Sequence, residues 1–180
     1  PPHMSVRVIK NPEILHWSDF KTRSNKIQDK RTKTLEEAYT RFHITLPSGF
    51  IPKALDGGTG IVFTEKWQIT IRPEAEVWSG AGKTDALLAH EQLHYFFGFV
   101  TARALVNDFI AMRVKGKGDL KKEMDRLYKL HMFTRAEALN DQYEADTDHS
   151  RNTGDQSKWE VAMDACLAND AATTLMGLDL

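Results

Sequence analysis

Residues His90, Glu91, Gln92, Leu93 and His94 form an H-E-x-x-H pentapeptide inside the apolar run 86–106. On a helix, two histidines four positions apart leave from one face, so their imidazoles can share a single tetrahedral zinc ion. The glutamate beside the first histidine is then placed to act as general base on a water bound to that ion. In a chain of 180 residues with 7 histidines, this pattern is expected by chance only ~0.016 times. The surrounding run is apolar nearly all round and reads as a buried helix, where a glutamate beside two histidines is costly unless something binds them. The bland alternative is three polar side chains satisfied by hydrogen bonds in a core.

A catalytic zinc usually takes three protein ligands and leaves a fourth position open. The metzincin extension would put a glycine and a third histidine at fixed offsets, but those positions hold Phe97 and Val100, so that class is excluded. The third ligand is expected from a later helix or loop folding back over the HEQLH helix, a return that the break at 115–118 (KGKG) makes easy. Glu123 and Glu137 read as surface residues and His131 as the end of an apolar stripe. The stretch 143–149 (YEADTDH) is densest in ligand-capable side chains. If helical, it puts Tyr143 and Thr147 on one face and Glu144 and Asp148 on another, and His149 falls where helix gives way to loop. On residues alone Glu144, Asp146 and His149 all stay open.

The elements that must position these groups divide into two halves. Strand and turn signals fill the first eighty residues, at 6–9, 38–46 and 61–71, punctuated by Pro47-Ser48-Gly49 and Asp56-Gly57-Gly58. They predict a small antiparallel sheet. A helical period follows, opening at a Thr84 or Asp85 cap and running to about Met112. Asp119 is the expected cap of a second helix, whose Leu120, Met124, Leu127 and His131 make a one-sided stripe. After a break near Phe133-Thr134 the stripe continues through Ala136, Leu139 and Tyr143, and a last helix is expected over 157–167. Strands followed by helices without alternation argue a single α+β domain over residues 1–180.

Composition narrows the function classes. A formal net charge of −1 gives no field for collecting nucleic acid, and the basic clusters at 26–33 and 115–122 are interrupted by acidic or apolar neighbours. Cys166 is the single cysteine, which rules out an internal disulfide and a cysteine-ligated zinc cluster. No apolar stretch reaches membrane-spanning length without charges, so no membrane insertion is expected. Residues 1–4 (PPHM) look like an expression-vector remnant, and a signal peptide is expected to have been removed upstream.

Three segments together resemble a bacterial family catalogued as domain of unknown function nine hundred and twenty-two, whose members are predicted to be secreted zinc-dependent peptidases. They are Leu15-His16-Trp17-Ser18-Asp19-Phe20-Lys21, the helix 87–96 (LLAHEQLHYF), and 143–159 (YEADTDHSRNTGDQSKW) with Thr147, His149, Gln156 and Trp159. The chain departs from that pattern at Glu144, where the family tends to have aspartate, and at Ser150, which replaces a glycine. The resemblance implies a zincin-like fold with the sheet packed on the HExxH helix, a zinc metallopeptidase activity, and a periplasmic or secreted setting. It also places the third ligand between Glu144 and His149, with His149 first, Glu144 second and Asp146 third.

On this reading His90, His94 and His149 hold zinc, and Glu91 takes a proton from the attacking water and passes it to the leaving amine. Tyr143 is the expected donor to the oxyanion, and Gln156 can fix a ligand's orientation. Trp17, Asp19 and Phe20 are expected to plug one end of the sheet, and Trp159 to pack. A peptide or protein substrate is expected to pair with a strand edge within 61–71 or up to Val77-Trp78. The rival is a catalytically silent zinc-binding module for a protein or cell-envelope partner, against which the intact Glu91 argues.

Overall fold

The structure, a computed structural model, describes residues 9–45, 52–62 and 69–180. The architecture is α+β. A three-stranded sheet is built from β1 (Lys21–Arg23), β4 (Ala38–Thr45) and β7 (Thr70–Trp78) in the order β1-β7-β4. The pair β4/β7 is antiparallel, with Ala38 opposite Val77 and Thr45 opposite Thr70. β1 joins β7 in parallel over residues 76–78. The sheet is therefore mixed rather than wholly antiparallel as expected. β1 is a three-residue strand with no apolar alternation, so its own pattern does not set its direction, which comes from its pairing with the distant β7. Along β7, Ile71, Ala75 and Val77 are buried while Arg72 and Glu74 are exposed, the period of two that fixes one face on the core.

Two small hairpins flank the sheet, β2 (Ile27–Gln28) with β3 (Leu35–Glu36) and β5 (Pro52–Leu55) with β6 (Gly58–Ile61). The expected Asp56-Gly57-Gly58 turn joins β5 to β6, with φ of +86° at Gly57 and +140° at Gly58, values open to glycine. Of the expected strand at 6–9, Ile9 is described and makes one bridge to Ile69. Residues 1–8, Pro47-Ser48-Gly49 and 63–68 lie outside the described residues.

The long helix α1 (Asp85–Ala111) is the centre of the molecule. Thr84 caps it, its hydroxyl accepting from the Leu87 amide at 3.1 Å. Its sixteen buried residues fall on every side, so no amphipathic stripe can be drawn and the helix must be covered all round. β4 covers one side, and Gly98 is what lets it approach: a Cβ there would lie 2.1 Å from the Phe42 ring. The other sides take α2 (Lys117–Lys129), α3 (Ala136–Thr147) and α4 (Thr153–Leu167). A π-helical stretch, Leu130–Arg135, joins α2 to α3 where the sequence pattern predicts a break. The expected stripe is real, with Leu120, Leu127 and His131 buried. Gly116 rather than Asp119 caps α2, and α4 begins four residues before its expected start. A closing hairpin, β8 (Thr174–Leu175) with β9 (Leu178–Asp179), completes the chain.

The first motif segment is structural. Trp17 and Phe20 pack with ring centres 4.7 Å apart and planes tilted by 48°, and Asp19 accepts from the His16 amide at 2.7 Å to cap a 3-10 turn. Gln92 of the pentapeptide pins the same segment, accepting from the Leu15 amide at 2.7 Å and donating to the Glu13 carbonyl at 3.1 Å.

Candidate metal centre

Two turns into α1, His90 and His94 leave the same face with their rings edge to face, and their Nε2 atoms lie 3.2 Å apart. The α2 return brings α3 alongside, and Glu144 on α3 meets both. Its Oε1 is 3.1 Å from His90 Nε2 and 2.7 Å from His94 Nε2. His90, His94 and Glu144 together can hold a metal ion. Donors about 2.0–2.1 Å from a tetrahedral ion stand about 3.3 Å from one another, close to the three separations found here.

The outer nitrogens of both rings are committed. His90 Nδ1 donates to Gln156 Oε1 at 3.2 Å, and His94 Nδ1 donates to Asn140 Oδ1 at 2.6 Å. Each amide's nitrogen is occupied elsewhere, Gln156 Nε2 on Glu160 at 2.9 Å and Asn140 Nδ2 on the Ala136 carbonyl at 2.7 Å. The amide oxygens therefore face the imidazoles and accept from each Nδ1–H, which leaves both Nε2 atoms turned toward Glu144, as donors to its carboxylate here and as ligands for an ion once deprotonated. This is the outer support that histidine ligands to metals characteristically have. The expected orienting role of Gln156 is what the geometry provides. Asn140 was not foreseen, although a lone amide within the stripe of Ala136, Leu139 and Tyr143, one turn before Glu144, was a usable signal.

Burial would push the Glu144 carboxyl up, but hydrogen bonds from His90 and His94 hold it well below the usual carboxylate range. Burial would likewise lower His94, yet its bond to Glu144 and the nearby Glu91 charge raise it to about 9. Glu91 is 3 % exposed, and its burial pushes the carboxyl up against the opposing pull of His94 and His90. Its Oε2 has no hydrogen-bond partner among the described residues. The Thr40 hydroxyl beside it makes no aligned hydrogen bond either. A buried carboxylate oxygen left open at the wall of a cleft is expensive in a finished core and useful in a reacting one.

Two expected site residues stand elsewhere. His149 is not in the triangle of donors: its Nδ1 lies 2.5 Å from the outer oxygen of Glu144 and 3.5 Å from Glu36. The cause is the turn after α3, where Asp148, His149 and Ser150 all take positive φ and carry the imidazole past the carboxylate rather than onto the histidines. The Glu144 side chain, leaving the last turn of α3, reaches first. Asp146 is also engaged, accepting from the Trp159 indole at 2.9 Å. Tyr143, expected to face the oxyanion, is fully buried. Its ring stacks on His90 at 4.6 Å and its hydroxyl donates to Gln156 at 2.6 Å. It braces the His90 support from the core and does not line the cleft.

No family model, no curated protein and no solved structure matches the chain. The site must be judged on its own chemistry. It sits in the wall of a cleft of ≈1480 Å³ bounded by β4, the β2–β3 hairpin and α3. Five consecutive residues of β4, from Ala38 to Phe42, line that cleft. Successive residues point to opposite faces, so what the strand presents there is its edge. No strand among the described residues pairs with that edge. The edge expected for substrate was placed within 61–78, but β7 is the middle strand of the sheet and has no free edge at 76–78. β7 does touch α1, Tyr95 donating to the Ile71 carbonyl at 2.8 Å, but it is β4 that runs along the cleft.

Proposed function

We propose that the chain is a zinc-dependent metallopeptidase of zincin-like build, with His90, His94 and Glu144 as the residues that hold the metal. Zinc bound by two histidines and a glutamate is a known catalytic set, and it would polarise the scissile carbonyl and bring a nucleophilic water within reach near neutral pH. The chain's own residues supply the rest. Glu91, buried and with an open oxygen, takes a proton and delivers it to the leaving amine. Its burial raises its proton affinity toward the working range of a general base. Asn140 and Gln156 keep both rings aimed, and the open edge of β4 offers backbone groups to an extended peptide.

One observation carries this reading: two imidazoles and a carboxylate converge while amide oxygens secure the far side of each ring. The partner is a peptide or protein substrate, and a periplasmic or secreted setting goes with the reading. No helix among the described residues is long and apolar enough to cross a membrane. The test is metal analysis combined with a peptide library. Purified protein should carry one zinc and cleave, and Glu91→Gln should keep the zinc and lose cleavage by a factor of about 10²–10⁴. Zinc without cleavage in both proteins would favour the binding-module reading, and failure to take up zinc would end both.

A further inference from the structure

The β2–β3 hairpin is held to the sheet at its base, the Trp78 amide donating to the Glu37 carbonyl at 2.7 Å and the Trp78 indole to the Ser24 carbonyl at 3.1 Å, and its tip reaches away over the cleft. Its strands pair over two residues each, and two-stranded ribbons of that kind are marginal in water. Its loop is internally tied instead. The Asp29 carboxylate accepts from the Arg31 and Thr32 amides at 2.6 and 3.1 Å, and the Asp29 carbonyl accepts from the Lys33 amide at 2.9 Å. The result is a compact, internally tied unit.

One ion pair clasps it across the cleft to the opposite wall, and one looser contact accompanies it. The Arg31 guanidinium forks onto the Asp141 carboxylate through both terminal nitrogens, one of them at 3.0 Å. On β3, Glu36 stands 3.5 Å from His149 Nδ1 without a hydrogen bond between them. Asp141 lies one helical turn before Glu144 and His149 lies in the turn after it, so the clasp and the looser contact stand on either side of the candidate ligand. Arg31, Glu36, Asp141 and His149 all line the cleft. The clasp is exposed, 43 % and 53 % on its two side chains, and exposed ion pairs hold weakly.

We infer that the β2–β3 hairpin is a latched roof over the cleft, so that the site accepts extended, flexible peptide segments passed beneath it and refuses loops held in folded proteins. This rests on the peptidase reading and names its substrate class. A folded loop presents two chain directions and its parent surface at once, which the closed roof excludes. A single extended segment needs only the open edge of β4 and the space below the hairpin.

The experiment compares wild type, Asp141→Lys, and the swapped pair Arg31→Asp with Asp141→Arg. Two readouts are taken: hydrogen exchange of the amides at 29–34, and kcat/KM for a short fluorogenic peptide against the same sequence grafted into a surface loop of a folded protein. Asp141→Lys should speed exchange in the hairpin and raise the relative cleavage of the folded substrate by up to about five-fold, the scale set by an exposed ion pair. The swap should reverse both. A cleaving enzyme whose exchange rises while its substrate ratio stays flat overturns the filter, as does one in which neither changes. Zinc-loaded protein that cleaves neither substrate overturns the peptidase reading and the filter together, and metal analysis tells that case from the first.

Discussion

Replacing Asn140 with alanine removes the one group that fixes the outer nitrogen of His94. The bond is short, 2.6 Å, and the amide cannot be replaced by rotation because its nitrogen is held by Ala136 within the same helix. Loss of such support typically costs 10–100-fold in metal affinity, which is about 1.4–2.7 kcal/mol. Alanine is also the better helix former, by up to about 0.7 kcal/mol, which offsets part of the lost hydrogen bond in the metal-free protein. The zinc affinity should therefore fall by more than the stability does. Asn140→Asp keeps an acceptor at the same place, strengthened by charge, and should bind zinc at least as tightly as wild type. Competition against a chromogenic chelator near neutral pH measures the three affinities, with chemical denaturation alongside. Wild-type affinity in Asn140→Ala, or an Asn140→Asp variant as weak as the alanine, would refute the argument that the amide oxygen orients a ligand.

Other outcomes follow from the same geometry. Tyr143→Phe should cost about 1 kcal/mol of stability through the lost bond to Gln156, with little change in kcat, whereas a true oxyanion donor would cost about 10²–10³ in kcat. Gly98→Ala drives a methyl group to 2.1 Å from the Phe42 ring, and overpacking of about 1–3 kcal/mol should outweigh the helix-propensity gain in a urea titration. In metal-free protein the His94 pKa is raised to about 9, above its unfolded value of about 6.5. Its contribution to stability is therefore complete below about pH 6.5 and is lost as pH rises through about 9. Thermal melts of the metal-free protein across that window should decline.

Much of the fold could be read from local pattern. The Thr84 cap, the all-round apolar helix, the stripe from Leu120 to His131 and the break after it depend on neighbours within a few turns, and each is found. The direction of β1 and the position of β4 at the open edge of the sheet depend on contacts between distant segments, which periodicity does not encode. The same division runs through the site. The HExxH spacing fixes the meeting of His90 and His94, and Gln156 carried a legible role. Choosing among Glu144, Asp146 and His149 needed the path of the chain after α3, where three consecutive residues with positive φ turn His149 aside. No glycine marks that turn, so its geometry is hidden in the sequence. Tyr143 was misread for a related reason: it shares a helix with Glu144, but its own direction points into the core.

The most direct measurement is anomalous diffraction at the zinc edge from crystals of zinc-loaded protein. The account predicts one ion at about 2.0–2.2 Å from His90 Nε2, His94 Nε2 and a Glu144 oxygen, with His149 outside that distance. An ion bound through His149 with Glu144 displaced would contradict the assignment, and two histidines bonded to Glu144 with no ion bound would contradict the metal centre itself.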